Sequence, residues 1–324
     1  MGSRYLITGA AGFVGANVAR LLHARGEDVH VLLGEASDAS RLAGVDVPRH
    51  FSTLDCVETL ASIIRRVRPT CLIHCAAYGG YLGRQTDERR MFDTNVLGTW
   101  HLLQAAEVVP YAAFLNIGSS SEYGRKHAPM REWDVPEPVN VYGVSKVSQT
   151  LLCQCYARLS GRPVCTVRLF SVYGPFEPAG RLFPNTILAC LDGRPVRLAG
   201  DGTQARDFIS VEDVTEGLVR IAGLSGLTGR ILNLGTGCQT TVARLAEAVK
   251  EMTGSKSPIV YDALPVKGIE NPSWVADVSA LKGSVGWQPQ DTLETGVLRL
   301  IEWYRLNRHL YAPEGVGEPV ASGA

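Results

Sequence analysis

Arg4-Tyr5-Leu6-Ile7-Thr8 reads as a strand, runs into Gly9-Ala10-Ala11-Gly12-Phe13-Val14-Gly15, and restarts as a helix to about His23. A strand that breaks into glycines and re-emerges as a helix commits the chain to the opening unit of a parallel α/β sheet. The glycines let the backbone turn sharply and come close to a pyrophosphate. The helix N-terminus supplies N–H donors and the positive end of the dipole. The spacing is GxxGxxG rather than GxGxxG. Dinucleotide contacts are expected at Gly9, Ala11, Gly12, Phe13, Val14 and Gly15.

Asp28–Leu33 reads as the second strand, whose end should meet the adenosine ribose. An acidic residue there favours NAD and an arginine NADP. The chain offers Gly34-Glu35, then Ser37 and Arg41, so Glu35 leans the expectation towards NAD with NADP open. A third short strand is expected to end at Asp55-Cys56, within reach of the adenine, and Val57–Val67 reads as an amphipathic helix. Residues 71–77 form a continuous apolar run, as in a parallel sheet covered on both faces. The small Ala76 and Ala77, followed by Tyr78-Gly79-Gly80, let the backbone pass close to a cofactor, and His74 reads as a packed core residue rather than a base. A helix is expected over 92–107 with Asn95 near its start, and a strand over 112–118. Ser119-Ser120-Ser121-Glu122 then stands at a strand end, where α/β sheets place ligands.

This alternation predicts a Rossmann-type doubly wound parallel sheet over 1–172, rejoined by about 207–237. Residues 173–206, rich in Gly and Pro, and 238–311 are expected to form a smaller C-terminal α/β substrate-binding lobe, with 312–324 a flexible tail. Lys+Arg and Asp+Glu both number 32, which argues against a nucleic-acid surface. The eight cysteines contain no CxxC pair and the seven histidines no HExxH, so reduced thiols and no metal are expected. No run is long and apolar enough to span a bilayer and no signal peptide is read, so the expectation is a soluble, cytoplasmic protein.

The chemistry is concentrated in Tyr142-Gly143-Val144-Ser145-Lys146. A Tyr and a Lys four apart share a helix face; if that face looks into a pocket, the ammonium is expected to lower the phenol pKa so that Tyr142 can exchange a proton near neutral pH.

Taken together, the chain resembles the extended short-chain dehydrogenase/reductases that act on nucleotide sugars, the epimerase/dehydratase group. The resemblance runs from Arg4 to about Tyr304. It rests on Gly9-x-x-Gly12-x-x-Gly15, Asp55, His74-Cys75-Ala76-Ala77, Asn95-Val96-Leu97-Gly98-Thr99, Ser119 to Gly124 and Tyr142-x-x-x-Lys146. It continues through Arg168 to Pro175, Arg206-Asp207-Phe208 and Gly286-Trp287-Gln288-Pro289. It implies that Tyr142 exchanges a proton with a sugar hydroxyl or ketone, that Lys146 holds the nicotinamide ribose, and that Ser119 or Ser120 assists. On the substrate side it implies Ser121, Ser171, Asn185, Arg197, Arg206, Lys267 and Glu270. Ser171 departs from the usual Asn, and Lys267 stands where a second Arg is common. A surface ion pair with Asp207 is the alternative for Arg206.

Within that group, 4,6-dehydratases and decarboxylases use carboxylates before the Tyr of the Tyr-Gly pair. Here Ser120 and Ser121 take those places and Glu122 is displaced by one position. The resemblance therefore implies a nucleotide-sugar 4-epimerase or, alternatively, a 4-ketoreductase of a 4-keto-6-deoxyhexose, with dehydration, decarboxylation or a non-catalytic nicotinamide sensor as remoter readings. Relatives commonly dimerise through two helices that here carry Trp100, Leu103, Leu151 and Leu152, which makes a homodimer the expectation.

Overall fold

Alternation within the strands builds the two cores of the sheet. Tyr5 and Ile7 pack to one face and Leu6 to the other; Cys71 and Ile73 likewise oppose Leu72, and Ala113 and Leu115 oppose Phe114. This protein is described by a computed structural model covering residues 3–80, 85–264 and 273–311. Seven strands form its central sheet: β1 (Arg4–Thr8), β2 (Asp28–Leu33), β3 (Arg49–Phe51), β4 (Cys71–His74), β5 (Ala113–Ser119), β6 (Val164–Leu169) and β11 (Arg230–Leu234). They lie in the order β11-β6-β5-β4-β1-β2-β3, every neighbour parallel. The order reverses between β1 and β4, and ligands bind at such a switch point, beyond the strand C-termini.

Helices α1 (Phe13–Ala24) and α7 (Val211–Ala222) cover one face, contributing Ala16, Leu22, Val214 and Leu218. The other face carries α2 (Val57–Val67), α4 (Gly98–Ala105) and α5 (Val141–Ser160), with Leu60, Ile64, Leu102 and Ala157. A separate apolar cluster joins α6 (Leu182–Leu191), α8 (Val242–Thr253) and α10 (Leu293–Leu306), where Phe183, Ile187, Leu245, Val249, Val297 and Ile301 meet. Small sheets flank it. β7 (Ser171–Tyr173) pairs with β10 (Phe208–Ser210), β8 (Val196–Ala199) with β13 (Ile259–Leu264), and β9 (Ala205–Arg206) antiparallel with β12 (Thr240–Thr241).

Several expectations are corrected. The third strand ends at Phe51, not at Asp55-Cys56, and β4 ends at His74, so Ala76 and Ala77 lie in loop. The single helix expected over 92–107 starts earlier, as α3 (Glu88–Phe92), with Asp87 capping it through the Arg90 N–H at 3.0 Å. It then widens into a π turn over Asp93–Leu97 before α4. The widened turn carries Asn95, which bonds outside the helix. The Asn95 side chain pairs with both the N–H and the C=O of Tyr78, each at 2.8 Å, and also donates to Ser145 Oγ at 2.9 Å. The Gly/Pro-rich stretch contains α6, and α9 (Ser279–Val285) is a further helix that the pattern did not announce. All eight cysteines are free thiols, and among the described residues no helix is long and apolar enough to cross a membrane.

Candidate active site

A cavity of about 740 Å³ opens beyond the C-terminal ends of β1, β4 and β5. One end is the glycine turn. Gly9 takes φ +66°, a conformation that favours glycine, and its carbonyl accepts the Gly12 N–H at 2.9 Å. A Cβ on Gly9 would meet Ala76 N at 2.4 Å, and one on Gly15 would meet the Gly9 carbonyl oxygen at 2.4 Å. A Cβ on Gly12 would meet only that oxygen, at 3.1 Å, and otherwise project into open space. No side chain caps α1 and its first turn carries no carboxylate. The turn is therefore a cradle with exposed N–H donors and no competing anion, which suits a pyrophosphate.

The other end holds Tyr142 and Lys146, one turn apart on α5, whose start is fixed by Asn140 Oδ1 accepting the Gly143 N–H at 2.7 Å. Lys146 is 2% exposed yet lines the cavity. Its ammonium donates to the Ile117 carbonyl at 2.6 Å and to Gln149 Oε1. Burial lowers its pKa to about 8, while Glu122 pulls the other way.

Opposite this pair, β5 ends in a tight turn that presents Ser119, Ser120 and Ser121 to the cavity. Ser119 Oγ accepts the Ser121 N–H at 3.1 Å. Glu122 is drawn inward, fully buried: Oε1 accepts the Ser119 N–H at 2.9 Å and Oε2 meets Arg168 Nε at 2.8 Å. Arg168 in turn lies over the Tyr123 ring and donates to the Glu132 carbonyl. Ser120 Oγ accepts the Trp274 indole N–H at 3.0 Å, and Arg206 stacks on that indole, 4.7 Å from guanidinium carbon to ring centre. Asp207 does not use its carboxylate on Arg206. Its oxygens accept the N–H groups of Thr236, Gly237 and Ala276 at 2.8–3.1 Å.

Of the positions expected from sequence, Gly9, Ala11, Gly12, Phe13, Val14, Gly15, Asp55, Ala76, Ala77, Ser171 and Arg206 line this one cavity with Tyr142, Lys146 and the three serines. Glu35 does not: it is exposed on the loop after β2, and the wall there is Gly34 and Ser37. Cys56 sits beside the wall, its thiol directed to Thr59 and Glu58. Tyr78 and Asn95 bond to each other behind the wall. Asn185 is exposed because α6 turns Phe183 and Ile187 into the core. Arg197 is exposed on β8, donating to the Ala263 carbonyl. Lys267 and Glu270 lie outside the described residues. Of the apolar positions expected to pair subunits, Leu103 is buried in the sheet core. Arg181, Arg90 and Trp274 also line the cavity and were not singled out. Trp274 had one readable signal, an indole N–H in a polar stretch that needs an acceptor when partly buried.

A doubly wound sheet with a glycine cradle and a Tyr-Lys pair facing one cavity at its switch point defines an α/β protein of the dinucleotide-binding type. Comparison with known proteins narrows this. Residues 5–235 match the model of the NAD dependent epimerase/dehydratase family. The chain is 28% identical to a probable UDP-glucuronate 4-epimerase of Rhizobium meliloti, over 94% of this chain and 97% of that one. It is also similar to the UDP-glucose 4-epimerase of Thermotoga maritima crystallised with UDP-glucose (26% identity, TM-score 0.84, covering 94% and 99%). A third likeness is to DesIV of Streptomyces venezuelae, a dTDP-glucose 4,6-dehydratase solved with NAD (28%, TM-score 0.84, covering 96% and 99%). The chain belongs to the NAD-dependent epimerase/dehydratase family.

Proposed function

We propose that this chain is a nucleotide-sugar 4-epimerase that uses Tyr142 as its acid/base, assisted by Lys146 and by Ser119 or Ser120. One observation carries the choice within the family. The tyrosine, the lysine and the serines share a cavity with the glycine cradle, whereas Glu122, the carboxylate of the serine turn, is spent on Arg168 and the Ser119 N–H. An elimination of water needs an acid and a base of its own beside the sugar, and the turn offers hydroxyls in their place.

In this reading the cradle of Gly9, Gly12 and Gly15 holds the pyrophosphate of NAD, Asp55 meets its adenosine half and Lys146 its nicotinamide ribose. NAD, when bound, supplies a reversible hydride acceptor for carbon 4. Tyr142 takes the proton of the 4-hydroxyl and later returns one to the opposite configuration, while a serine hydroxyl holds the same oxygen. Arg206, oriented by Trp274, meets the substrate diphosphate, where its charge strengthens each hydrogen bond. The expected homodimer stays part of the proposal, carried by the exposed Leu97, Trp100, Val144 and Leu151.

Native mass spectrometry of the purified protein tests the reading. An epimerase regenerates its cofactor in each cycle, so NAD should leave with the unfolded chain at near one per subunit. Tyr142→Phe should keep that NAD and lose turnover by at least about a hundredfold. An empty protein that takes up NADPH or NADH from solution would instead support the 4-ketoreductase.

A further inference from the structure

Behind the cavity a line of fully buried polar side chains crosses the sheet face: Thr8 on β1, His74 on β4, Thr99 on α4, then Gln149 and Lys146 on α5. The contacts are Thr8 Oγ to His74 Nδ1 at 2.7 Å, His74 Nε2 to Thr99 Oγ at 2.9 Å, Gln149 Nε2 to Thr99 Oγ at 2.8 Å, and Lys146 Nζ to Gln149 Oε1.

Proton counting fixes the direction of every bond. Thr99 has one hydroxyl proton, and it goes to the Asn95 carbonyl at 2.7 Å. Thr99 Oγ can therefore only accept from its other two neighbours. His74 must carry its proton on Nε2, leaving Nδ1 to accept from Thr8. Gln149 must turn its NH₂ to Thr99, which leaves only its carbonyl oxygen for the ammonium. The flipped amide would aim N–H groups at a cation and an oxygen at a hydroxyl with no proton to give. Burial also keeps His74 neutral, its pKa pushed down to about 3.

We propose that Gln149 is a positioning residue for Lys146, oriented through Thr99 and His74 so that it presents a neutral acceptor that holds the ammonium charged and aimed at the cavity. This rests on the epimerase-family reading above. The Ile117 carbonyl and Gln149 take two of the three N–H bonds, and the third is left for the cavity. The groups facing the ammonium are few. His74 approaches from the end of β4 and Cys75 from just beyond it, Glu122 from the turn after β5, and Cys153 from its own helix, which also carries Tyr142. The thiols are protonated at neutral pH, with Cys75 pushed up to about 12 by burial, and Glu122 is bonded to Arg168. The amide thus joins the Ile117 carbonyl as a neutral acceptor that offsets the desolvation of the charge without cancelling it, and it is the side-chain one of the two.

The test is the alkaline limb of the kcat–pH profile of the NAD-loaded enzyme. Removing an acceptor from a buried cation favours its neutral form, so Gln149→Leu should move that limb down by about one pH unit, lowering kcat about twofold at neutral pH and about tenfold well above the limb, with KM for the sugar nucleotide within about twofold. Gln149→Glu, which supplies a charge, should move the limb up and carries the test if the leucine variant does not fold. Thr99→Val should shift it down by a smaller step, and Thr99→Ser should restore it. Limbs that stay at the wild-type position in all folded variants, with Tyr142→Phe inactive, would overturn this inference alone. An active Tyr142→Phe would overturn the reading beneath it.

Discussion

Gly12 and Gly15 stand three residues apart in the same turn and face different constraints. The methyl of Gly15→Ala would press on the Gly9 carbonyl from 2.4 Å, so this variant should lose about 1–3 kcal/mol and several degrees of melting temperature. Gly12→Ala meets only the Gly9 oxygen, at 3.1 Å, a close contact far milder than that at Gly15, and its methyl fills the cradle. It should melt within about two degrees of wild type and bind NAD at least about tenfold more weakly. Thermal melts paired with NAD titrations separate the two, and equal melting losses would contradict the cradle. That these glycines, Tyr142 and Lys146 would share one cavity was legible because it follows from local spacing. Gln149 and Trp274 were not. Gln149 is defined by a threonine fifty residues away and Trp274 by a serine 154 residues away, and no local pattern encodes such a pairing.

Among the elements, the continuous apolar strands read correctly because parallel strands buried on both faces admit little else. The π turn escaped notice because the Asn95–Tyr78 pairing it carries leaves no mark on periodicity. Helix α6 was hidden by the glycines and prolines around it, although Phe183, Ile187 and Cys190 keep helical spacing. The loop before α6 carries a buried carboxylate, Glu177, paired with Arg181 at 2.9 Å, while its Oε2 has no hydrogen-bond partner among the described residues. Burial pushes this carboxyl up to about 7 from its ordinary 4.5. The folded protein therefore holds a proton that the unfolded chain releases between those values, and stability falls as pH rises through that window. Comparing melting curves from pH 5 to 8, Glu177→Gln should flatten the decline by up to about 3 kcal/mol relative to wild type. Parallel curves would show that Glu177 is not protonated in the fold.

At the scale of the molecule, the chain brings the glycine turn, Tyr142, Lys146 and Arg206 to one cavity at the sheet's switch point. The sheet order follows from strand–helix alternation, which a sequence displays. The pocket wall contributed by Trp274 and Arg181 comes from the later part of the chain, where elements are short and separated by loops, and only the folded structure brings Trp274 to the serine turn and Arg181 to the same cavity. The proposed reaction is inversion at carbon 4 without net redox change. Its most direct test is proton NMR of UDP- and dTDP-hexoses incubated with the purified protein and no added cofactor, alongside absorbance at the reduced-nicotinamide band. One of these sugars should relax to a mixture of its two C4 epimers with no net gain or loss of reduced nicotinamide. A 4-keto-6-deoxy product, or turnover of a 4-keto sugar only as added NADH or NADPH is consumed, would contradict it.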